Sequence, residues 1–240
     1  MKHLLFGTLA VSIAILGCSP SIELSKTTQP VWVDTDFRAT GILAGSLPDV
    51  IQALNSKEIS SQNLVKLYLE RIEKIDKLGP RLQSILVLNP DALENAKQLD
   101  KMRAAGEILG PLHGVPILLK DNIETKDRIA TSAGALALKD NMTGRDSPLV
   151  AGLRAQGAII LGKTNLSQWA NFRSEGSMSG WSALGGQVRN PHMLDRNPCG
   201  SSSGSAAATA ASLAAASVGT ETNGSIICPS NANGIVGFKP

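Results

Sequence analysis

The chain has 240 residues, of which 42% are hydrophobic and 18% charged, a composition typical of a globular protein with an apolar core. Aromatic residues make up only 3% of the chain, so this core has to be built from Leu, Ile, Val and Ala. The net charge of +3 is small and the basic residues are scattered, which argues against a nucleic-acid-binding surface.

The first eighteen residues, MKHLLFGTLAVSIAILGC, predict a targeting segment and are set apart from the fold. Lys2 precedes an apolar run from Leu4 to Leu16 that is shorter than the roughly 20 residues of a membrane-spanning helix. The run ends in ILGC, which resembles a bacterial lipobox with Cys18 as the lipidated first residue of the mature chain. We therefore expect an exported protein, either anchored to a membrane through lipid on Cys18 or free in the periplasmic or extracellular space. An ordinary secretory signal and a short buried helix are the alternatives.

Residues 19–44 contain Pro, Ser and Thr with little periodicity and are predicted to form a tether. This interpretation places the folded domain at residues 45–240. Apolar residues at helical spacing then predict one helix from Leu47 and a second helix that begins at Ser60 or Ser61.

Further along the chain the pattern changes to alternating strands and helices. The stretch GPLHGVPILLKDNI predicts an apolar strand that ends in Lys120, Asp121 and Asn122. DSPLVAGLRAQGAIILG predicts a helix capped by Asp146, a glycine turn and a buried strand, which together form an α/β unit. The alanine-rich stretch from Ser205 to Ser217 predicts a helix that packs closely against the sheet. The fold class is therefore α/β, with a helical N-terminal portion.

The cysteines and histidines give no sign of a metal site, because neither an HExxH motif nor a pair of CxxC motifs occurs. No cofactor is expected. Cys199 and Cys228 lie beside serine-rich loops, and we expect them to be small buried residues. A disulfide between them is the less favoured alternative in an oxidising compartment.

The most informative segment is PCGSSSGSAAATAASLAAASVGTETNGSI, which begins at Pro198. A flexible linker is excluded because the serines directly precede a strong helix former. A phosphate-binding loop is excluded because no Lys follows the second glycine. GSSSG formally matches the nucleophile elbow G-x-S-x-G with Ser202 as nucleophile, but that site needs a later His, and all three histidines precede it.

A serine nucleophile without histidine needs another base, and a buried lysine can supply one because burial lowers its pKa. Lys120 follows the apolar run VPILL, so its stem is a candidate for the interior. On pattern alone, however, an exposed lysine at a strand end is the favoured interpretation.

Three stretches together resemble the amidase signature family: GPLHGVPILLKDNI, QGAIILGKTNLSQWANF and the segment from NPCGSSSGS to GFKP. The resemblance covers roughly residues 60–240, and its last stretch is the diagnostic region of the family. It implies the amidase-signature fold, a mixed central β-sheet flanked by helices. Family members continue well beyond this length, so the resemblance also implies that the C-terminal part of the fold is missing. NLSQWANFRSEGSMSGWSALGGQVRNP is most similar to the exported peptide-amidase branch.

The resemblance implies a Ser/cis-Ser/Lys triad. Ser225 in NGSI matches the nucleophile, Ser201 in GSSSGS matches the bridging serine that follows a cis peptide bond, and Lys120 in LLKDN matches the base. Ser202 would support the site by hydrogen bonding.

By the same resemblance, an oxyanion hole would be built from the backbone N–H groups of Thr222, Asn223, Gly224 and Ser225. Two positions depart from the family pattern. Asn223 stands where many members have Gly or Asp, and Ser203 stands where most members have Gly.

The sequence therefore predicts an amidase that hydrolyses a small amide or a peptide C-terminal amide through an acyl-enzyme. Two alternatives stay open: a non-catalytic surface lipoprotein, and an amidotransferase subunit that uses the same triad on charged tRNA. The predicted export signal argues against the second alternative, because charged tRNA is cytosolic.

Overall fold

The computed structural model describes residues 37–172 and 175–240, in which helices surround a small central sheet. The α-helices are α1 (Leu47–Asn55), α2 (Ser61–Ile72), α3 (Ala92–Ala104), α4 (Pro148–Ala155), α5 (Ser203–Ala210) and α6 (Ile227–Ala232). The strands are β1 (Ile85–Leu88), β2 (Pro116–Lys120), β3 (Ile159–Thr164), β4 (Trp181–Ser182), β5 (Gly186–Gln187) and β6 (Ala216–Val218). Short 3₁₀ turns lie at Gly41–Ala44, Leu136–Leu138 and Gln168–Asn171, and α2 continues into a π-helical segment at Glu73–Leu78.

The central sheet has the strand order β1-β3-β2-β6. β2 runs parallel to both of its neighbours, whereas β1 is antiparallel to β3. Every residue of β2 and β3 is buried, as expected for parallel strands covered on both faces. The mixed sheet flanked by helices confirms the predicted fold class. Its parallel strands bring the carboxyl ends of β2, β3 and β6 to one edge, where α/β proteins usually place their sites.

The pairing of β2 with β3 contains a one-residue irregularity. Ile117 pairs with Ile160, but Leu118 pairs with Gly162, so β3 holds one extra residue. A side chain is excluded at Gly162, since its Cβ would lie 2.4 Å from the carbonyl oxygen of Val87. Beyond the irregularity the register is regular.

The two predicted N-terminal helices are present and form much of the apolar core. Ser60, one of the two predicted starts, is the N-cap of α2 and accepts a hydrogen bond from the N–H of Asn63 at 3.1 Å. The end of the predicted tether is folded, because Ile42 and Leu43 pack against the core. The packed part of the chain therefore begins before residue 45.

Two predicted helix boundaries are wrong. The alanine-rich helix begins at Ser203 and ends at Ala210, because Ser212 takes a positive φ of 56° and the following residues enter β6. The cap of α4 is Ser147, whose side chain accepts from the N–H of Val150, whereas Asp146 pairs with Arg154.

The favoured interpretation of the two later cysteines is also wrong. Cys199 and Cys228 form a disulfide, with their Cα atoms 5.9 Å apart. Cys228 is exposed and Cys199 is partly exposed, so neither is a buried apolar residue. Their proximity arises because α6 packs beside the start of α5, a contact that sequence spacing does not reveal.

The predicted signal segment, including Cys18, and most of the predicted tether lie outside the described residues. Across residues 37–172 and 175–240, no helix combines the length and the apolar character needed to cross a membrane.

The close approach of α5 to the sheet predicts the effect of a single added methyl group. A Cβ at Gly204 would lie 2.3 Å from the carbonyl oxygens of both Ser84 and Asn165. We expect Gly204→Ala to lower the free energy of unfolding by about 2–3 kcal/mol, measured by urea denaturation, because the backbone has to move. Gly152→Ala in α4 is the matched control, since nothing lies within 4 Å of its Cβ. The free energy of unfolding of this control should be unchanged or up to about 1 kcal/mol higher than that of the wild-type chain. Equal stability of the two variants would contradict this packing.

Candidate active site

Lys120 is the last residue of β2 and is completely buried. Its Nζ atom lies 2.8 Å from the Oγ of Ser201, 2.9 Å from the Oγ1 of Thr220 and 3.1 Å from the carbonyl oxygen of Thr220. The favoured sequence interpretation of this lysine, an exposed strand end, is therefore wrong. Three oxygen atoms surround the amine: one belongs to Ser201 in the turn before α5, and two belong to Thr220 after β6.

Ser201 lies in the turn that leads into α5 and is also completely buried. The peptide bond between Gly200 and Ser201 is cis, as the family resemblance implies. The carbonyl oxygen of Ser201 accepts a hydrogen bond from the N–H of Ser167 at 3.0 Å, which ties the turn to the segment after β3. A Cβ at Gly200 would lie 2.4 Å from the Oγ of Ser167, so the turn has no space for a side chain there.

Thr220 connects Lys120 to the rest of the site. Its Oγ1 accepts a hydrogen bond from Lys120 and another from the Nδ2 of Asn122, at 3.0 Å. The Oγ of Ser202 donates to the carbonyl oxygen of Thr220 and accepts from its N–H, at 3.1 and 3.2 Å. Ser202 is buried and its hydroxyl is occupied by this loop, an environment that does not suit the nucleophile of the elbow hypothesis.

Ser225 lies in the turn before α6 and is partly exposed. Its carbonyl oxygen accepts a hydrogen bond from the N–H of Ser202 at 3.1 Å, so the two serine-bearing segments are in direct contact. Within the described part of the chain, the Ser225 hydroxyl has no hydrogen-bond partner. The structure thus brings Lys120 and Ser201 into contact and places Ser225 on the adjoining segment, without a direct bond between the two serine hydroxyls.

The carboxylate of Glu221 organises the turn that carries Ser225. It accepts hydrogen bonds from the N–H groups of Gly224, Ile226 and Ile227, at 2.9, 2.7 and 3.0 Å. These three donors hold the pKa of Glu221 below its ordinary value. Gly224 has a φ of 74°, a conformation that glycine adopts without strain.

The predicted oxyanion donors differ in their availability. The N–H of Gly224 is already bonded to Glu221. Thr222 and Asn223 are exposed, and Ser225 is partly exposed. Among the described residues, the N–H groups of these last three make no hydrogen bond, so they are free to bind a ligand oxygen.

Burial dominates the electrostatics of the lysine. Removal of the amine from water lowers the pKa of Lys120 to about 7, and the negative charge of Glu221 opposes this shift without cancelling it. A substantial fraction of Lys120 is therefore neutral at physiological pH, as a base must be.

A second buried lysine lies on the neighbouring strand. Successive side chains of a strand point to opposite faces. Lys120 and Thr164 face α5, where the Oγ1 of Thr164 contacts the Oγ of Ser205 at 2.7 Å. The amine of Lys163 instead donates to the carbonyl oxygen of Ile123, at 2.7 Å. Burial lowers the pKa of Lys163 to about 8, although nearby acidic groups oppose the shift.

Asp121 fixes the loop after β2 on the same side as Lys163. Its carboxylate accepts hydrogen bonds from the hydroxyl and the N–H of Ser132 and from the N–H of Gly134. Burial raises the pKa of the Asp121 carboxyl, an effect that these donors and the charge of Lys163 oppose. Asp121 therefore orients the loop and takes no part in the contacts of Lys120.

Sequence reasoning assigned no role to Thr220 or Glu221. Thr220 reaches Lys120 because β6 pairs in parallel with β2, with Val218 opposite Leu119, so the residues after β6 pass the end of β2. No local pattern signals this pairing, since β6 has three residues. The only available signal for Glu221 was that it is the single charged residue in its segment.

In the residues that the structure covers, no group of three His, Cys, Asp or Glu side chains is arranged to hold a metal ion. The polar contacts of the site come from serine, threonine, asparagine, lysine, the carboxylate of Glu221 and backbone groups.

Comparison with known proteins gives a consistent result. The profile of the Amidase family matches residues 63–240. A probable amidase of Arabidopsis thaliana is 48% identical over 230 residues, which cover 95% of this chain and 42% of that protein. The crystal structure of the native peptide amidase of Stenotrophomonas maltophilia superposes with a TM-score of 0.81 at 52% identity, covering 83% of this chain and 40% of that one.

The relatives also include components of amidotransferases. A glutamyl-tRNA(Gln) amidotransferase subunit of Prochlorococcus marinus is 41% identical over 193 residues, which cover 80% of this chain and 38% of that protein. This chain spans about two fifths of the length of these relatives.

The buried environment of Lys120 predicts an unusual titration. In a chain labelled with ¹³C at the lysine Cε, we expect one signal to titrate near pH 7, where an ordinary lysine titrates near 10.5. The signal should be absent from Lys120→Ala, which assigns it, and the Lys163 signal should titrate near pH 8.

Between pH 7 and 10.5 the unfolded chain holds a proton that Lys120 has lost in the folded chain. This residue therefore makes the free energy of unfolding rise with pH over that range. A spectrum in which all lysines titrate above pH 9 would rule out the buried neutral amine.

Proposed function

We propose that this chain, which belongs to the amidase family, is a hydrolase acting on C–N bonds and cleaves a carboxamide through a Ser225–Ser201–Lys120 relay and an acyl-enzyme. The observation that carries this proposal is the 2.8 Å contact between the buried, low-pKa amine of Lys120 and the hydroxyl of Ser201. A serine hydroxyl is a weak nucleophile until a base accepts its proton, and no histidine contacts either serine in the described chain.

The contacts of Lys120 suit a proton acceptor. A neutral lysine has two N–H donors and one lone pair. The two donors match the carbonyl oxygen and Oγ1 of Thr220, which leaves the lone pair directed at the hydroxyl proton of Ser201. After protonation, all three contacts are made by N–H donors. The heavy atoms therefore need not move when the proton does.

The proposed reaction conserves protons at every step. Lys120 accepts the Ser201 proton, Ser201 accepts the Ser225 proton, and the Ser225 oxygen bonds to the amide carbon. The C–N bond then breaks as the relay returns a proton to the departing amine. Water hydrolyses the resulting ester by the same relay and regenerates Ser225. The free N–H groups of Thr222, Asn223 and Ser225 would stabilise the negative oxygen of the tetrahedral intermediates.

We propose a peptide C-terminal amide as the substrate, because the peptide amidase of Stenotrophomonas maltophilia is 52% identical. An amidotransferase component is the second candidate, supported by the relatives at 40–42% identity. The compound that releases ammonia separates the two candidates. The peptide-amide hydrolase should release ammonia from a dipeptide amide, and the amidotransferase component should release it from a glutamine-type donor. This chain spans about two fifths of the length of these relatives. Both proposed reactions are therefore ones named for proteins that contain further residues.

Export and lipid attachment at Cys18 rest on the sequence alone and stay a prediction. They are compatible with the proposed hydrolase, whose substrate would be met outside the cytosol. Mass analysis of the chain produced in a bacterial host with and without Cys18→Ala would test the anchor.

A fluorophosphonate probe tests the relay without knowledge of the natural substrate. We expect the purified chain to be labelled at Ser225, identified by peptide mass mapping. Lys120→Ala and Ser201→Ala should each lower the labelling rate by about 100-fold or more, because the proton acceptor is lost. The matched controls are Lys66→Ala and Ser56→Ala, which remove the same functional groups at exposed positions. Labelling at Ser202, or a folded chain that is not labelled, would contradict the proposal.

The labelling rate should also depend on pH in a defined direction. Only neutral Lys120 accepts a proton, so the rate should rise about tenfold per pH unit below pH 7 and become constant above it. Residual labelling of Lys120→Ala should lack this step. A wild-type profile that falls with rising pH would contradict the assignment of Lys120 as base.

A further inference from the structure

The Cys199–Cys228 disulfide joins the two segments that carry the proposed catalytic serines. Cys199 lies two residues before Ser201, and Cys228 lies three residues after Ser225. The bond therefore connects the entrance of the turn before α5 to the first turn of α6. A covalent bond at this place limits how far the hydroxyl groups of Ser201 and Ser225 can move apart.

Hydrogen bonds also join these two segments. The N–H of Ser202 donates to the carbonyl oxygen of Ser225 at 3.1 Å, and the Nδ2 of Asn233 donates to the carbonyl oxygen of Pro198 at 2.8 Å. The hydroxyl of Ser202 also donates to the carbonyl oxygen of Thr220 and accepts from its N–H, at the start of the turn between β6 and α6. The rest of this turn is organised by the bonds that Glu221 makes to its own segment.

The turn before α6 is also poorly covered. Thr222, Asn223 and Ile227 are exposed, and α6 itself has only six residues. Ser201, in contrast, is buried and bonded on both sides, through its carbonyl oxygen to Ser167 and through its hydroxyl to Lys120. Of the two serine segments, the one that carries Ser225 therefore has more freedom to shift.

We propose that the Cys199–Cys228 disulfide is a positioning element for the serine relay: it holds the Ser225 turn against the fixed Ser201 turn. This inference rests on the proposed function. Transfer of a proton between two hydroxyls requires a separation of about 2.6–3.2 Å, and a displacement of about 1 Å lowers rates about 100-fold. The hydrogen bonds of Ser202 restrain the turn at Thr220 and at Ser225, and the disulfide adds a covalent restraint on the C-terminal side of Ser225. Without the disulfide we expect the Ser225 turn to move away from the Ser201 turn more readily.

Reduction by a small dithiol tests this role, because the exposed Cys228 is accessible to it. The dithiol loses two electrons and two protons and becomes a cyclic disulfide. Each protein sulfur gains one electron and one proton, so the product holds two thiols. Removal of the dithiol followed by air oxidation restores the bond.

The experiment compares the oxidised, reduced and reoxidised chain with the variant Cys199→Ala/Cys228→Ala. Two quantities are measured: amide hydrogen exchange over residues 219–228, with α2 as internal reference, and the rate of Ser225 labelling by the fluorophosphonate probe. In the reduced chain and the variant, we expect exchange over 219–228 to accelerate at least tenfold, with α2 unchanged. Labelling should slow at least tenfold, and reoxidation of the wild-type chain should restore both values.

The two measurements separate the possible failures. Unchanged exchange over 219–228 after reduction would overturn the positioning role, whatever the labelling rate. Faster exchange with an unchanged labelling rate would overturn it as well, and so would equal acceleration in α2, which would indicate general stabilisation. If the oxidised chain is not labelled at all, the proposed function fails, and the exchange measurement alone decides whether the disulfide fixes the turn.

Discussion

The burial of one amine at the end of a central strand is the constraint on which the rest of this site depends. Lys120 is surrounded by Ser201 and Thr220, and its lowered pKa follows from the absence of water there. This environment exists only because α5 covers one face of the sheet and the chain after β6 passes the end of β2. The same enclosure explains the glycine at position 204, where backbone meets backbone with no room for a side chain. The packing of α5 against the sheet thus contributes both to the tight contacts at Gly204 and to the burial of the lysine.

The fold class was predictable from the sequence, but the environment of the lysine was not. Helical spacing located α2, and apolar runs located β2 and β3, because both are local patterns. The same local pattern favoured an exposed Lys120, and only the resemblance to a family indicated otherwise. Exposure at a strand end is decided by what covers it, and here the covering segments lie about eighty to one hundred residues further along the chain.

Two further errors have the same origin. Alanine favours helix throughout residues 205–217, yet the last part of that stretch pairs with β2, because pairing with a buried strand outweighs local propensity. The cysteine pair is decided by the contact of α5 with α6. In each of these cases a local interpretation was reasonable, and a contact distant in sequence decided the outcome.

The extra residue in β3 has a consequence for the charge of the sheet. In uninterrupted register, Lys163 would stand directly beside Lys120, with both amines in the same buried layer. The irregularity after Ile117 advances β3 by one position, so Thr164 takes that place and Lys163 projects from the reverse side. Two like charges that would repel each other strongly in a dry interior are thereby separated by the thickness of the backbone. The amine of Lys120, with a pKa of about 7, can then lose its proton independently of Lys163, whose amine holds the loop after β2. A single inserted residue thus keeps the two buried amines on opposite faces of the sheet.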